Sequence, residues 1–322
     1  MRAILSGHRS APVIGWETCT VPPAPPVVAV VGPTAAGKSD LAVDLALCLS
    51  GEIVNADSMQ IYRGMDIGTA KLTVAERRGV PHHVLDVLDV TEPATVAEFQ
   101  AFARAAIDEC RGRDVTPILV GGSALYVRAV LDRFEFPGTE PALRARLEDD
   151  LEAVGAAAMH ARLAAVDPAA AATIMPSNAR RVVRALEVVH LTGRPYTATL
   201  PAKEYAYDRV VQLGLDLPRD VLDERIAARV DRMWRAGFVD EVLHLEKAGL
   251  RRGRTASRAV GYAQVLKLLA GEWTEDEARA RTVRATRRFA RRQDSWFRKD
   301  PRIEWLPYDA NDLVERALAR CG

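Results

Sequence analysis

The residues with the plainest chemical purpose lie near the N-terminal end, where Gly32-Pro33-Thr34-Ala35-Ala36-Gly37-Lys38-Ser39 fits the pattern GxxxxGK[ST] in full. Glycines at these positions let the backbone curl, so that successive N–H groups and the start of the following helix converge on phosphate oxygens. Lys38 adds a positive charge and Ser39 a hydroxyl suited to Mg²⁺. The substrate implied carries a diphosphate or a longer phosphate chain. An ordinary P-loop ATPase also has an apolar strand ending in a magnesium-holding aspartate. The best such strand here, Ile118-Leu119-Val120, runs into Gly121-Gly122-Ser123 instead, which argues against a motor or a GTPase. Asp57, just past another apolar run, is the nearest carboxylate able to face the phosphates from a strand end.

Positioning these groups requires a strand, a loop and a helix in succession. Val27 to Val31 is a β-branched run short enough for a buried strand, and a helical pattern follows from Lys38 to Leu49. Further strands are expected at Ile53-Val54-Asn55, near Val84-Leu85-Asp86, at Pro117 to Val120, and at Val210 to Leu213. Strands alternating with helices give the α/β class, a P-loop NTPase-like parallel sheet flanked by helices. Residues 140–200 turn alanine-rich and leucine-periodic, which predicts a helical insertion domain. Within it Ser177 or Asn178 caps a helix through Arg184 and Val188, and Gly193 stops it. The expected organisation is a loose proline-rich tail over 1–25, the first part of the core over 26–139, the insert, and a core continuation over 201–322. That continuation holds a long helix from Val221 to Ala236 and a basic helix near the C-terminus.

The net charge of +1 conceals a concentration of charge. Arg279 to Arg302 holds ten basic residues against two acidic ones, so the rest of the chain is net negative. Such a stretch points to a polyanion partner or a strongly solvated helix. Arg284, Arg287, Arg288 and Arg291 recur at helical spacing, while Phe289, Gln293 and Trp296 share another face suited to packing on the core. Cys19, Cys48, Cys110 and Cys321 form no CxxC pair and have no histidine at ligand spacing, which argues against structural zinc and a disulfide framework. No apolar run approaches a membrane span or a signal peptide, so the expectation is a cytoplasmic protein with no membrane contact.

The block Asn55-Ala56-Asp57-Ser58-Met59-Gln60-Ile61-Tyr62-Arg63-Gly64-Met65-Asp66-Ile67-Gly68-Thr69-Ala70-Lys71 is long and distinctive. Together with Pro81-His82-His83, Gly121 to Tyr126 and Arg258-Ala259-Val260-Gly261-Tyr262, it closely resembles the tRNA dimethylallyltransferases, also called tRNA isopentenyltransferases. The resemblance runs from about Val28 to Trp305. It implies transfer of a dimethylallyl group from dimethylallyl diphosphate to the exocyclic amine of the adenosine immediately 3′ of a tRNA anticodon. The P-loop residues Gly32, Pro33, Thr34, Ala35, Ala36, Gly37, Lys38 and Ser39 would then hold a leaving group. Asp57 matches the family's general base. Lys38 and Arg229 would stabilise the departing diphosphate, with Mg²⁺ at Ser39 and Asp57 reached through water. Ser123 stands where the family usually has threonine, and either hydroxyl could bond the base or the diphosphate. By the same resemblance, contacts to the tRNA anticodon stem-loop fall on Asp57, Ser58, Met59 and Gln60, on Ser123 and on Arg144. They continue through Arg180, Arg181, Val182, Val183 and Arg184, and through Arg258, Ala259, Val260, Gly261, Tyr262 and Ala263. A monomer is expected.

Plainer readings stand beside these. Taken alone, Asp57 is a turn or capping aspartate, Arg180, Arg181 and Arg184 are a solvated helical face, and the pair His82-His83 is structural. Asp149-Asp150 lacks the third aspartate that chain-elongating prenyl synthases use, Ala153 standing in its place. Two rival functions remain: a P-loop small-molecule or nucleotide kinase, which would move a phosphate from ATP, and a non-enzymatic, nucleotide-gated RNA-binding protein, which would be indifferent to Asp57→Asn.

Overall fold

The computed structural model describes residues 24–134, 136–196 and 202–321. The tail expected over 1–25 lies outside these described residues as far as residue 23. The strands are β1 Val27–Val31, β2 Glu52–Asn55, β3 His82–His83, β4 Pro117–Gly121, β5 Val210–Asp216 and β6 Ile303–Pro307. They form one sheet in the order β3-β2-β4-β1-β5-β6, and every pairing is parallel. The α/β class with helices flanking a parallel sheet is therefore the observed architecture.

The helices of the core's first part are α1 Lys38–Leu49, α2 Val96–Gly112 and α3 Ala124–Leu131. Next come α4 Pro141–Val166, α5 Pro168–Thr173 and α6 Ala179–Thr192, and then α7 Arg219–Arg235, α8 Phe238–Lys247, α9 Tyr262–Leu269, α10 Glu275–Phe297 and α11 Leu313–Cys321. The five buried residues of β1 show why the sheet is parallel and central. Val27, Ala29 and Val31 enter an apolar cluster with α2, α3, α8 and α9, whereas Val28 and Val30 face a second cluster built with α1 and α11. A strand covered on both faces needs no polar alternation, which accounts for the unbroken Val-Val-Ala-Val-Val run.

Two sequence readings need correction. The third strand is His82–His83 rather than Val84 to Asp86, because Val84 and Asp86 adopt left-handed φ of 62° and 55° and turn the chain out of the sheet. The edge strand β6 and the closing helix α11 were not foreseen; in β6 Ile303 and Leu306 face inward while Glu304 and Pro307 are exposed. The long helix is Arg219–Arg235, two residues earlier than expected at its start. Helices α4 to α6 pack around their own apolar cluster, with Leu147, Met159, Leu163 and Leu186 at its centre. Asn178 caps α6 by accepting the Arg181 N–H, and Gly193 ends it at φ 63°. Among the described residues no helix is long and apolar enough to cross a membrane.

Candidate active site

The glycine-rich loop leaves β1 at its C-terminal end and enters α1, taking left-handed backbone at Gly32 (φ 130°), Ala35 (φ 66°) and Gly37 (φ 104°). Thr34 N–H is taken by the Gln293 side chain, whereas the amides of residues 35–39 donate to no acceptor among the described residues. They stand at the N-terminus of a helix and carry spare donor capacity, the arrangement that attracts an anion. Lys38 Nζ donates to Pro33 O at 2.7 Å. Burial, then the positive charge of Arg229, lower the Lys38 ammonium to about 7, with Asp57 acting in the opposite sense. Helix α7 supplies further cations. Arg229 donates to Thr34 Oγ1 at 3.3 Å, Arg225 donates to Ala36 O at 3.2 Å and stacks over Tyr308, and burial lowers the Arg229 guanidinium from its usual value. Arg225 was missed in the sequence, although its i, i+4 spacing from Arg229 on an expected helix is a usable signal.

Asp57 follows β2 and enters the same open cleft, which is lined by Lys38, Ser39, Asn55, Gln60 and Arg229 among others. Its position is fixed locally. Buried Asn55 accepts the Asp57 N–H at 2.9 Å and donates to both Asp57 O and Val84 O at 3.0 Å. One carboxylate oxygen, Oδ1, accepts the Met59 N–H at 2.8 Å, while Oδ2 accepts no hydrogen bond among the described residues. The Gly-Gly end of β4 also has a packing reason: a Cβ on Gly121 would come within 2.3 Å of Ala56 O, and one on Gly122 within 2.4 Å of Gln293 Nε2. A strand-end aspartate does not fit there. Ser123 follows as the cap residue of α3, with a hydroxyl that makes no hydrogen bond among the described residues. Apolar side chains of Ala42, Ile53, Leu72, Leu85 and Val120 also line the cleft.

The histidine pair divides as strand alternation requires. His82 lines the cleft, with Nδ1 against Val80 O at 2.8 Å, and burial lowers its imidazole. His83 instead meets Glu52 at 2.6 Å beside Cys110, which brings together a cysteine and a histidine that are distant in sequence. Arg113 donates twice to Glu52, at 2.8 and 2.7 Å, and holds that carboxyl down to about 2, while burial pushes the Cys110 thiol up to about 11. With the guanidinium already on the carboxylate, this group is an ion-paired cluster.

Several residues assigned to tRNA by resemblance are placed otherwise. Val182 and Val183 are buried inside the α4–α6 cluster, so their side chains are unavailable to a ligand. Arg144 and Arg184 both donate to the buried Glu187, at 2.8 and 2.7 Å, and Arg184 also ties down the carbonyls of Pro137 and Gly138. Ala259 and Tyr262 are buried as well. Tyr262 donates its hydroxyl to Glu241 at 2.6 Å, and the same carboxylate accepts the backbone N–H groups of Asp66, Ile67 and Gly68. A Cβ on Gly68 would lie within 2.2 Å of Phe238 and 2.5 Å of Tyr262. Much of the distinctive motif is thus a clasp around Glu241, and Lys71 closes its far side by donating to Asp66 and Asp86, each at 2.6 Å. Arg180 and Arg258 remain exposed, and the charge of Arg180 reaches Tyr126. Asp149 and Asp150 are exposed on α4, Asp150 pairing with Arg162.

On α10, Arg287 and Arg291 turn to Asp223, whereas Arg284 and Arg288 are exposed and make no ion pair among the described residues. Of the face expected to pack on the core, Gln293 is buried, but Phe289 is half-buried and Trp296 is 46% exposed, so the expectation is corrected at those two: the core side is Ala278, Thr282, Ala290, Gln293 and Phe297.

Comparison with known proteins gives a consistent result. The profile of the IPP transferase family matches residues 60–300. A tRNA dimethylallyltransferase from Streptomyces avermitilis is 66% identical over 92% of this chain and 95% of its own. One from Thermobifida fusca is 65% identical over 91% and 93%. Among solved structures, the tRNA isopentenylpyrophosphate transferase of Bacillus halodurans is 42% identical with a TM-score of 0.66, covering 91% of this chain and 93% of its own. A eukaryotic dimethylallyltransferase acting on tRNA is 27% identical with a TM-score of 0.79, over 92% and 78%.

Proposed function

The chain belongs to the tRNA dimethylallyltransferase family, and from that premise we propose that its cleft transfers a dimethylallyl group from dimethylallyl diphosphate to the exocyclic amine of the adenosine 3′-adjacent to a tRNA anticodon. The observation that carries this reading is the meeting, in one cleft, of unpaired loop amides with Lys38, Arg229 and the free oxygen of Asp57.

The adenine amine is a weak nucleophile because its lone pair is delocalised into the ring. As its nitrogen bonds to the allylic carbon, the carbon–oxygen bond to diphosphate breaks, the bonding pair leaves with the diphosphate, and the amine proton passes to Asp57 Oδ2. A positioned base contributes roughly a hundred- to ten-thousandfold in rate. The departing charge is met by the amides of residues 35–39, Lys38 and Arg229, and one such preorganised donor is worth about 3 kcal/mol. Mg²⁺ fits the oxygen donors at hand: the Ser39 hydroxyl is without a hydrogen bond among the described residues, and Asp57 has its second oxygen free for a metal-bound water. When bound, the ion would neutralise charge on the leaving diphosphate. The amine reaches Asp57 only if the base leaves its stack, and single-stranded loops release bases at low cost. The exposed Arg180, Arg258, Arg284 and Arg288 then serve the RNA backbone.

The test is Asp57→Asn. Single-turnover prenylation should fall at least about a hundredfold while tRNA affinity stays within about threefold. Equal rates for variant and wild type would remove Asp57 as the base.

A further inference from the structure

Helix α10, otherwise the most basic element of the chain, sends one uncharged side chain into the cleft. Gln293 is 7% exposed and both ends of its amide are used: Oε1 accepts Thr34 N–H at 2.9 Å, and Nε2 donates to Gly122 O at 2.7 Å. The two neighbours fix the amide's orientation, since one can only donate and the other only accept. Gly122 must lack a Cβ for Nε2 to approach, and Gly121 must lack one for Ala56, the residue before Asp57, to approach. Thr34 is gripped a second time through its hydroxyl by Arg229. Immediately after it begin the five amides without acceptors.

We propose that Gln293 is a positioning residue for the leaving-group loop, holding the Thr34 peptide against the β4 corner so that the amides of residues 35–39 keep their aim, and tying α10 to that loop. This rests on the reading of the loop as the diphosphate holder. A neutral amide satisfies both partners at every pH. Methionine has the volume and neither bond. Glutamate accepts from Thr34 in both protonation states but donates to Gly122 O only when protonated. The titratable groups that line the cleft with Gln293 are Lys38 from α1, Asp57 after β2, His82 from β3 and Arg229 from α7.

The experiment measures binding of inorganic diphosphate by calorimetry and transfer kinetics for wild type, Gln293→Met and Gln293→Glu. Gln293→Met should weaken diphosphate binding and raise KM for dimethylallyl diphosphate about tenfold, with tRNA affinity within about threefold. Gln293→Glu should bind diphosphate nearly as wild type at low pH and lose affinity with rising pH more steeply than wild type or Gln293→Met. Wild-type diphosphate binding in Gln293→Met would overturn the proposal, as would equal loss for diphosphate and tRNA with a lowered Tm, or a Gln293→Glu profile parallel to that of Gln293→Met. Diphosphate binding is read without tRNA, so a wild-type protein that fails to alkylate tRNA would sink the proposed function while Gln293 is still judged on its own.

Discussion

Two carboxylates bracket the distinctive motif and are treated in opposite ways. Glu241 accepts three consecutive backbone N–H groups and the Tyr262 hydroxyl, so its hydrogen-bonding capacity is spent on shape. Asp57 accepts one backbone N–H and presents its other oxygen to a cleft where Lys38 and Arg229 also converge. Polar groups that are fully partnered hold this fold, and those left with spare capacity do its chemistry. The same rule sorts the arginines: Arg144 and Arg184 are consumed by buried Glu187, while Arg284 and Arg288 face solvent.

The contrast breaks if the two regions fail in the same way. Lys38→Ala should lower kcat/KM by about a hundred- to a thousandfold with little change in Tm, because beyond one bond to the Pro33 carbonyl the ammonium's donors are left for the ligand. Glu241→Gln should do the reverse. A neutral amide cannot accept at both ends, so some of its N–H donors lose their partner, stability falls by about 2 kcal/mol, and the activity of the folded fraction persists. Chemical denaturation beside active-site titration separates these outcomes.

Smaller effects sharpen the comparison. Arg284→Ala with Arg288→Ala should weaken tRNA binding several-fold at low salt and flatten the salt slope by about 2, whereas Arg287→Ala, whose guanidinium already faces Asp223, should move the slope less. Lys38 offers a proton-linked readout. Its ammonium is lowered to about 7 in the free protein, so above that pH it is largely neutral. A bound diphosphate favours the charged form, so binding takes up a proton there and this contribution to affinity declines as pH rises. Calorimetry in buffers of different ionisation enthalpy at pH 8 should show up to about one more proton taken up by wild type than by Lys38→Met.

What the sequence made legible was local. The phosphate loop, α1, the caps of α6 and the buried run of β1 each depend on neighbouring residues, and each was readable from spacing. What escaped depended on distant pairs: Gln293 meets Thr34 across a separation of 259 residues, and Glu241 meets Ile67 across 174. The third strand was misplaced because Val84 takes a left-handed conformation that a β-branched residue rarely adopts, stabilised by Asn55 donating to its carbonyl. Val182 and Val183 lay within an arginine-rich run, and only the packing of α6 against α4 reveals that their side chains point inward.

The central claim is that this cleft exchanges diphosphate for an adenine nitrogen. Nucleoside mass spectrometry of an anticodon stem-loop RNA, after incubation with the purified protein and dimethylallyl diphosphate, tests it most directly. The account predicts an adenosine 3′ of the anticodon heavier by one dimethylallyl group, with one diphosphate released per adenosine modified. Unmodified RNA from a protein that instead consumes ATP would contradict it.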